Sequence, residues 1–130
     1  MPMNIYEENR ILNASPIELV RILYRAAIRA VENARENLRS GQIAARSKEI
    51  SKAQEILIEL ASSLDRSQGQ EFSERLLALY DYMQLRLVEA NSQQKDGPLV
   101  EVGRLLGTLE EAWSQCPAEA LEPALRKIPA

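Results

Sequence analysis

Apolar residues recur in alternating steps of three and four along four segments of this 130-residue chain, and this spacing constrains the fold more than any other feature. Such steps place side chains on one face of an α-helix, where they can pack against neighbouring helices. The stripe of the first segment comprises Val20, Tyr24, Ala27, Val31, Ala34 and Leu38. Glycine and proline cluster mainly at a few joints between segments. The pattern predicts an all-α fold.

The first helix has clear start and stop signals. Ser15 is suited to be its N-cap, Pro16 to occupy its first position, and Glu18 to complete a capping box. Ser40-Gly41 is expected to end it. The chain before Ser15 is therefore predicted to be a separate N-terminal segment.

Three further helices are predicted, over 43–64, over 70–91 and from about 99 to 116. The stripe of the second helix comprises Ile43, Ile50, Ala53, Leu57, Leu60 and Leu64; that of the fourth comprises Leu99, Val102, Leu106, Leu109, Trp113 and Cys116. Gly97-Pro98 is expected to break the chain before the fourth helix. Four similar helices with short loops predict an antiparallel up-down four-helix bundle over 15–116, with a cap segment at 1–14 and a proline-bearing tail at 117–130.

Composition limits the chemistry available to such a bundle. The chain has no histidine, so it lacks the phosphoacceptor of histidine phosphotransfer domains and the ligands of di-iron bundles. Cys116 has no histidine to activate it and is expected to be a packed thiol, while Glu110 and Glu111 are expected on a solvated flank. We therefore predict a protein that is not an enzyme, with no catalytic, cofactor-binding or metal-binding residues.

Charge and cysteine content limit the cellular compartment and the classes of partner that suit this chain. A net charge of −3, with Arg and Glu mixed along every segment, argues against nucleic-acid binding. One cysteine suits a reducing compartment, and no apolar run is long enough for a signal peptide or a membrane span. A cytoplasmic protein with no membrane insertion is predicted.

Some apolar positions remain after the stripes are assigned, most of them on the third helix. Leu79, Met83, Leu87 and Ala90 are assigned to the core, whereas Leu85 and Val88 point elsewhere. From pattern alone the candidates for a groove that binds a helix or an extended peptide are Ile58, Leu77, Leu85, Val88, Val100, Gly103 and Gly107. The alternative is that the third helix simply lies centrally between two neighbours and the glycines only weaken the fourth helix.

Several ordered motifs resemble the family of the flagellar export chaperone FliS. They cover about residues 4 to 116 and comprise Tyr6, Ala14-Ser15-Pro16-Ile17-Glu18-Leu19, Leu23-Tyr24, Leu79-Tyr80-Asp81-Tyr82, Arg86-Leu87, Ala90-Asn91, Glu101-Val102, Leu105-Leu106 and Ala112-Trp113. The chain departs from the family pattern at Arg25 and Ala26, where an acidic residue and a glycine are usual.

The resemblance implies a cytoplasmic chaperone of type III protein export. Its partners would be the C-terminal segment of flagellin, whose premature polymerisation it prevents, and the cytoplasmic domain of the flagellar export gate. The family motif adds Tyr80 and Tyr82 to the cargo-binding candidates, although both, with Arg86 and Asn91, could equally hold helices together. Residues Ile5, Tyr6, Ile11 and Leu12 are suited to be a cap over the cargo surface or a contact to the export gate.

Two further possibilities follow for such a surface. An exposed apolar strip would allow the free protein to self-associate. The alternative function is a regulatory adaptor that sequesters another flagellar protein such as an anti-sigma factor.

Overall fold

The computed structural model describes residues 15–65 and 70–115, except the side chain of Gln70, and the regular elements in these ranges are α-helices. The helices are α1 (Pro16–Arg39), α2 (Ile43–Ser62), α3 (Gln70–Gln93) and α4 (Asp96–Gln115). The predicted all-α class is therefore confirmed. The expected cap segment 1–14, the tail 117–130 and Cys116 lie outside the described residues.

The Ser15 cap and the Ser40-Gly41 end of α1 follow the predicted signals, and of the predicted capping box the bond to the Ser15 hydroxyl is the half observed among the described residues. The Ser15 hydroxyl accepts a hydrogen bond from the backbone N–H of Glu18 at 3.2 Å, and Pro16 occupies the first turn, where its missing N–H costs nothing. After α1 the chain reverses through Gly41, whose φ of 71° is accessible to glycine without strain. The short connection places α2 antiparallel to α1.

Each helix packs against two neighbours in a ring: α1 and α3 each contact both α2 and α4. Consequently α1 and α3 are diagonal to each other, as are α2 and α4. The interior contains the fully buried Val20, Tyr24, Val31, Ile50, Leu57, Leu60, Met83, Leu87, Leu99, Val102 and Leu106. The predicted up-down four-helix bundle is the arrangement observed.

The joint between α3 and α4 differs from the prediction. Gly97 and Pro98 were expected to break the chain, but they lie in the first turn of α4, where proline is tolerated because its N–H would have no helical partner. The helix α3 continues to Gln93, and the reversal occurs at Gln94, which has a φ of 54°.

One predicted stripe position and one further large apolar residue are exposed. Ile43, the first residue of α2, is 59% exposed, and Phe72 near the start of α3 is 41% exposed with its ring centroid 6.1 Å from that of Trp113. Both lie at helix ends, where fewer neighbouring residues surround a side chain. At the Ile43 end of α2 the buried position is taken by Arg46.

Candidate interaction surface

Several large apolar side chains remain exposed on α2 and α3. The exposed fraction is 60% for Ile58, 65% for Leu85, 53% for Val88 and 42% for Tyr82. The first three were predicted from pattern alone as candidates for an apolar groove. Single exposed apolar residues are ordinary on a protein surface, so their significance depends on whether they are adjacent.

Polar side chains establish how α2 and α3 are aligned. The Gln84 amide donates to the backbone carbonyl of Gln54 at 2.9 Å, and Arg46 Nε donates to Asn91 Oδ1 at 3.1 Å. The Ser47 hydroxyl also donates to Asn91 Oδ1, at 3.1 Å. Because the helices are antiparallel, Ile58 lies level with Tyr80 and Asp81.

This alignment places four of the candidates along or beside the α2–α3 groove. Ile58 follows Gln54 by one helical turn, and Val88 follows Gln84 by one turn, so both lie on the flanks that face the α2–α3 groove. Leu77, half-buried, lies two turns before Gln84 on the same flank, and Leu85 points outward beside it. We call Ile58, Leu77, Leu85 and Val88 the α2–α3 strip.

The candidates on α4 lie on another side of the bundle. A Cβ added to Gly103 would be 3.6 Å from Cγ1 of Val31, so Gly103 faces α1. Val100 and Gly107 lie further outward on the same flank, and both are half-buried. Since the α1–α4 groove is opposite the α2–α3 groove, these three residues do not belong to the α2–α3 strip.

Tyr80 lies in the core. It is 2% exposed, and its hydroxyl is 2.5 Å from that of Tyr24 on the diagonal helix. Burial raises the pKa of Tyr24 to about 12 and also raises the pKa of Tyr80. The sequence left open whether Tyr80 contacts cargo or holds helices together, and the structure gives it a packing role. Tyr80 contributes nothing to the exposed surface of this structure.

Tyr82 faces α4 instead of the α2–α3 strip. Its hydroxyl donates to Glu101 Oε1, which also accepts from Arg86 Nε at 2.8 Å. The hydrogen bond from Tyr82 lowers the pKa of Glu101 and, reciprocally, raises the pKa of Tyr82. Arg86 also pairs with Glu89 at 2.6 Å. This cluster joins α3 to α4 while leaving part of the Tyr82 ring exposed.

Sequence reasoning missed Arg46, which is 5% exposed and bonds Asn91 and Gln94. The sequence contained a signal for this position. When the stripe of the second helix is followed backwards from Leu64 in alternating steps of four and three, it passes Leu57 and Ile50 and reaches position 46, not 43. The family-motif residue Asn91 therefore holds helices together here. Among the described residues no cluster of His, Cys, Asp and Glu could hold a metal ion, and no helix is both long and apolar enough for a bilayer crossing.

Known proteins share this sequence pattern and this fold. The family model described as flagellar protein FliS matches residues 2–120. The flagellar secretion chaperone FliS of Salmonella typhimurium is 36% identical over 114 residues, covering 87% of this chain and 84% of the relative. The one from Bacillus subtilis is 32% identical, covering 88% of this chain and 84% of the relative.

A solved structure agrees on the fold. The crystal structure of a bacterial flagellar chaperone superposes with a TM-score of 0.73 at 20% identity, covering 90% of this chain and 92% of that one. The extent of the family match and the identity to the Salmonella and Bacillus relatives together show that this chain belongs to the FliS family of flagellar secretion chaperones.

Proposed function

We propose that this protein is a cytoplasmic chaperone without enzymatic activity that binds the C-terminal segment of flagellin, prevents its premature polymerisation and presents it to the flagellar export gate. The observation that carries the proposal is the α2–α3 strip, an exposed apolar surface on a chain whose curated relatives are flagellar secretion chaperones.

The physical chemistry of the strip suits a cargo that folds on binding. A disordered segment loses conformational entropy when it becomes ordered, so it needs a substantial apolar contact to bind. Exposed Ile58, Leu85 and Val88 supply part of that contact without any change in the core. Val100, Gly103 and Gly107 on the opposite side, and the exposed part of Tyr82, remain candidates for additional cargo contact.

Binding is tested by mixing the purified protein with flagellin from the same organism. We expect a one-to-one complex in size-exclusion chromatography with light scattering, and its loss when the C-terminal segment of flagellin is deleted. Absence of a complex with intact flagellin would refute the proposal. Binding to an anti-sigma factor combined with indifference to flagellin would favour a regulatory adaptor.

The site is tested by Leu85→Asp, which places a charge in the middle of the α2–α3 strip. We expect cargo affinity to fall at least tenfold, or about 1.4 kcal/mol, because the carboxylate would be desolvated in the complex. The free energy of unfolding should change by only about 0.5 kcal/mol, since Leu85 is exposed. The control is Asn33→Asp on the exposed face of α1, which should bind as wild type. Equal affinities for both variants would exclude the strip as the site.

A further inference from the structure

The charges along the α2–α3 strip change sign from one end to the other. On the outward face of α2, Lys48 and Lys52 precede Glu55 and Glu59, and all four are exposed. Within the described residues none of the four is part of an ion pair. The strip therefore has a cationic end near Val88 and an anionic end near Ile58.

The helix α3 reinforces the anionic end. Asp81 is exposed, lies level with Ile58 across the groove, and has no ion pair among the described residues. Ile58 itself shares a shallow concavity with Lys52, Glu55, Ile56 and Glu59. The apolar contact at this end is thus bordered by Glu55 and Glu59 of α2, with Lys52 on the side towards the cationic end.

Helix stability does not explain this polarity. The helix dipole favours acidic residues near the N-terminus and basic residues near the C-terminus. The helix α2 has no acidic residue in its first turn and no basic residue in its last, and its charges run in the opposite order. The arrangement is slightly unfavourable for the isolated helix, which points to a role in recognition.

We infer that the α2–α3 strip binds an amphipathic helical segment in one direction, with its cationic end over Glu55, Glu59 and Asp81 and its anionic end towards Lys48 and Lys52. Apolar burial alone has no preferred direction, whereas misplaced charges at the edge of an interface penalise the reversed complex. Lys48 and Glu59 are separated by roughly 16 Å along the helix, about two Debye lengths in physiological salt, so the two ends act independently on the ligand. The inference rests on the proposed function for the identity of the bound segment.

The decisive variant exchanges the charges without changing their sum: Lys48→Glu, Lys52→Glu, Glu55→Lys and Glu59→Lys together. With the flagellin C-terminal segment as the probe, we expect the bound segment to lie in the reversed direction at 50 mM salt, because the exchanged charges now penalise the original complex, and the preference for one direction to weaken at 500 mM. The melting temperature should stay equal or rise, because the exchanged charges suit the helix dipole. A segment that keeps its wild-type direction on this variant at low salt would overturn the inference.

A matched control and a second readout keep the result interpretable. Glu32→Lys on the exposed face of α1 changes the net charge away from the strip and should leave the direction of the bound segment as in wild type. A nitroxide on Ser62→Cys or on Ser51→Cys, each with Cys116→Ser, marks the anionic or the cationic end. On the wild-type charges each label should broaden NMR signals from a different end of the bound segment, the basic end being broadened by the label at position 62. On the charge-exchanged variant the label at position 62 should broaden the acidic end.

The two hypotheses fail in different ways. If the wild-type protein does not bind the flagellin segment at all, the proposed function is wrong. If it binds but both labels broaden both ends of the segment equally, the segment binds in two directions and the inference is wrong.

Discussion

At the residue scale, one hydrogen bond between two phenols crosses the diagonal of the core. Tyr24 of α1 and Tyr80 of α3 are 0% and 2% exposed, and their hydroxyl oxygens are 2.5 Å apart. Each hydroxyl is the other's hydrogen-bond partner. The bond therefore satisfies two buried polar groups whose burial without a partner would destabilise the folded state. The Tyr24 ring also packs 6.4 Å from that of Trp113, centroid to centroid.

Removing one hydroxyl should therefore cost more than removing both. We expect Tyr80→Phe to lower the free energy of unfolding by about 1 to 3 kcal/mol, because the Tyr24 hydroxyl is left buried without its partner. The double variant Tyr24→Phe/Tyr80→Phe should recover part of this loss. Urea denaturation measures both. The control is Tyr82→Phe, which removes a hydroxyl bonded to Glu101 at an exposed position and is expected to cost about 1 kcal/mol or less. A Tyr80→Phe variant as stable as wild type would show that the bond contributes little.

The same pair predicts a loss of stability in alkali. Burial raises the pKa of Tyr24 from 10.0 to about 12, so between these values the folded state retains a proton that the unfolded state has released. This contribution is fully present below pH 10.0 and is lost as the pH rises through about 12. Denaturation at intervals across this range should show a steeper decline for wild type than for Tyr24→Phe/Tyr80→Phe. Parallel curves would argue against a raised pKa.

At the element scale, a buried arginine joins α2 to α3. Arg46 donates to the Asn91 side chain at 3.1 Å and to the Asn91 carbonyl at 3.4 Å. A buried guanidinium has a high desolvation cost, which hydrogen bonds partly offset. Because these bonds require Arg46 and Asn91 to be level, they also establish the register on which the α2–α3 strip depends.

The dependence of Arg46 on Asn91 is testable. Asn91→Ala removes the side-chain acceptor and leaves Arg46 Nε buried without it, so we expect the free energy of unfolding to fall by about 2 to 3 kcal/mol. Ser47→Ala is the matched control, since it removes only one donor to Asn91 and preserves the bond from Arg46, and it should cost about 1 kcal/mol or less. Equal costs for the two variants would contradict a special role for the Arg46–Asn91 bond.

At the scale of the whole molecule, ion pairs between α1 and α4 close the ring of helices. Arg35 bonds Asp96 through two nitrogens, at 2.8 and 3.0 Å, and Arg25 reaches Glu110 at 3.3 Å. The hydrogen bond from Arg35 lowers the pKa of Asp96. These pairs are partly exposed, so they contribute modestly and are sensitive to salt.

The lowered pKa predicts how acid affects the molecule. Because the folded state binds the Asp96 proton less readily than the unfolded state, the contribution is present above the ordinary pKa of 3.8 and is lost as the pH falls through the lower value of the folded state. Melting curves from pH 6 to pH 2 should therefore show a smaller acid-induced decline for Asp96→Asn than for wild type. An identical decline would mean that the pair does not influence stability. Glu111→Gln, whose parent residue pairs with no arginine in the described structure, is the control.

The four helices and their arrangement as a bundle could be predicted from local features of the sequence. The 3.6-residue period, the Ser15 cap and the Gly41 turn depend only on residues near each other in the chain. Errors arose where helix ends meet tertiary surroundings, as at Ile43, whose predicted buried position is occupied by Arg46, and at Gly97-Pro98, which α4 accommodates in its first turn. At Gly97-Pro98 local pattern alone could not weigh a break against a helix start, whereas at Ile43 the strict three-four spacing already favoured position 46.

By itself, the sequence determined the helical class, the order of the elements and an apolar surplus on α3 greater than one core stripe could use. Only the tertiary structure decided how that surplus divides: Tyr80 enters the core, Tyr82 turns to α4, and Leu85 and Val88 join Ile58 on one strip. The physical reason is that a helical period places side chains around an axis but not relative to neighbouring helices. The polarity of the strip likewise depends on the register between α2 and α3, which hydrogen bonds between distant residues establish.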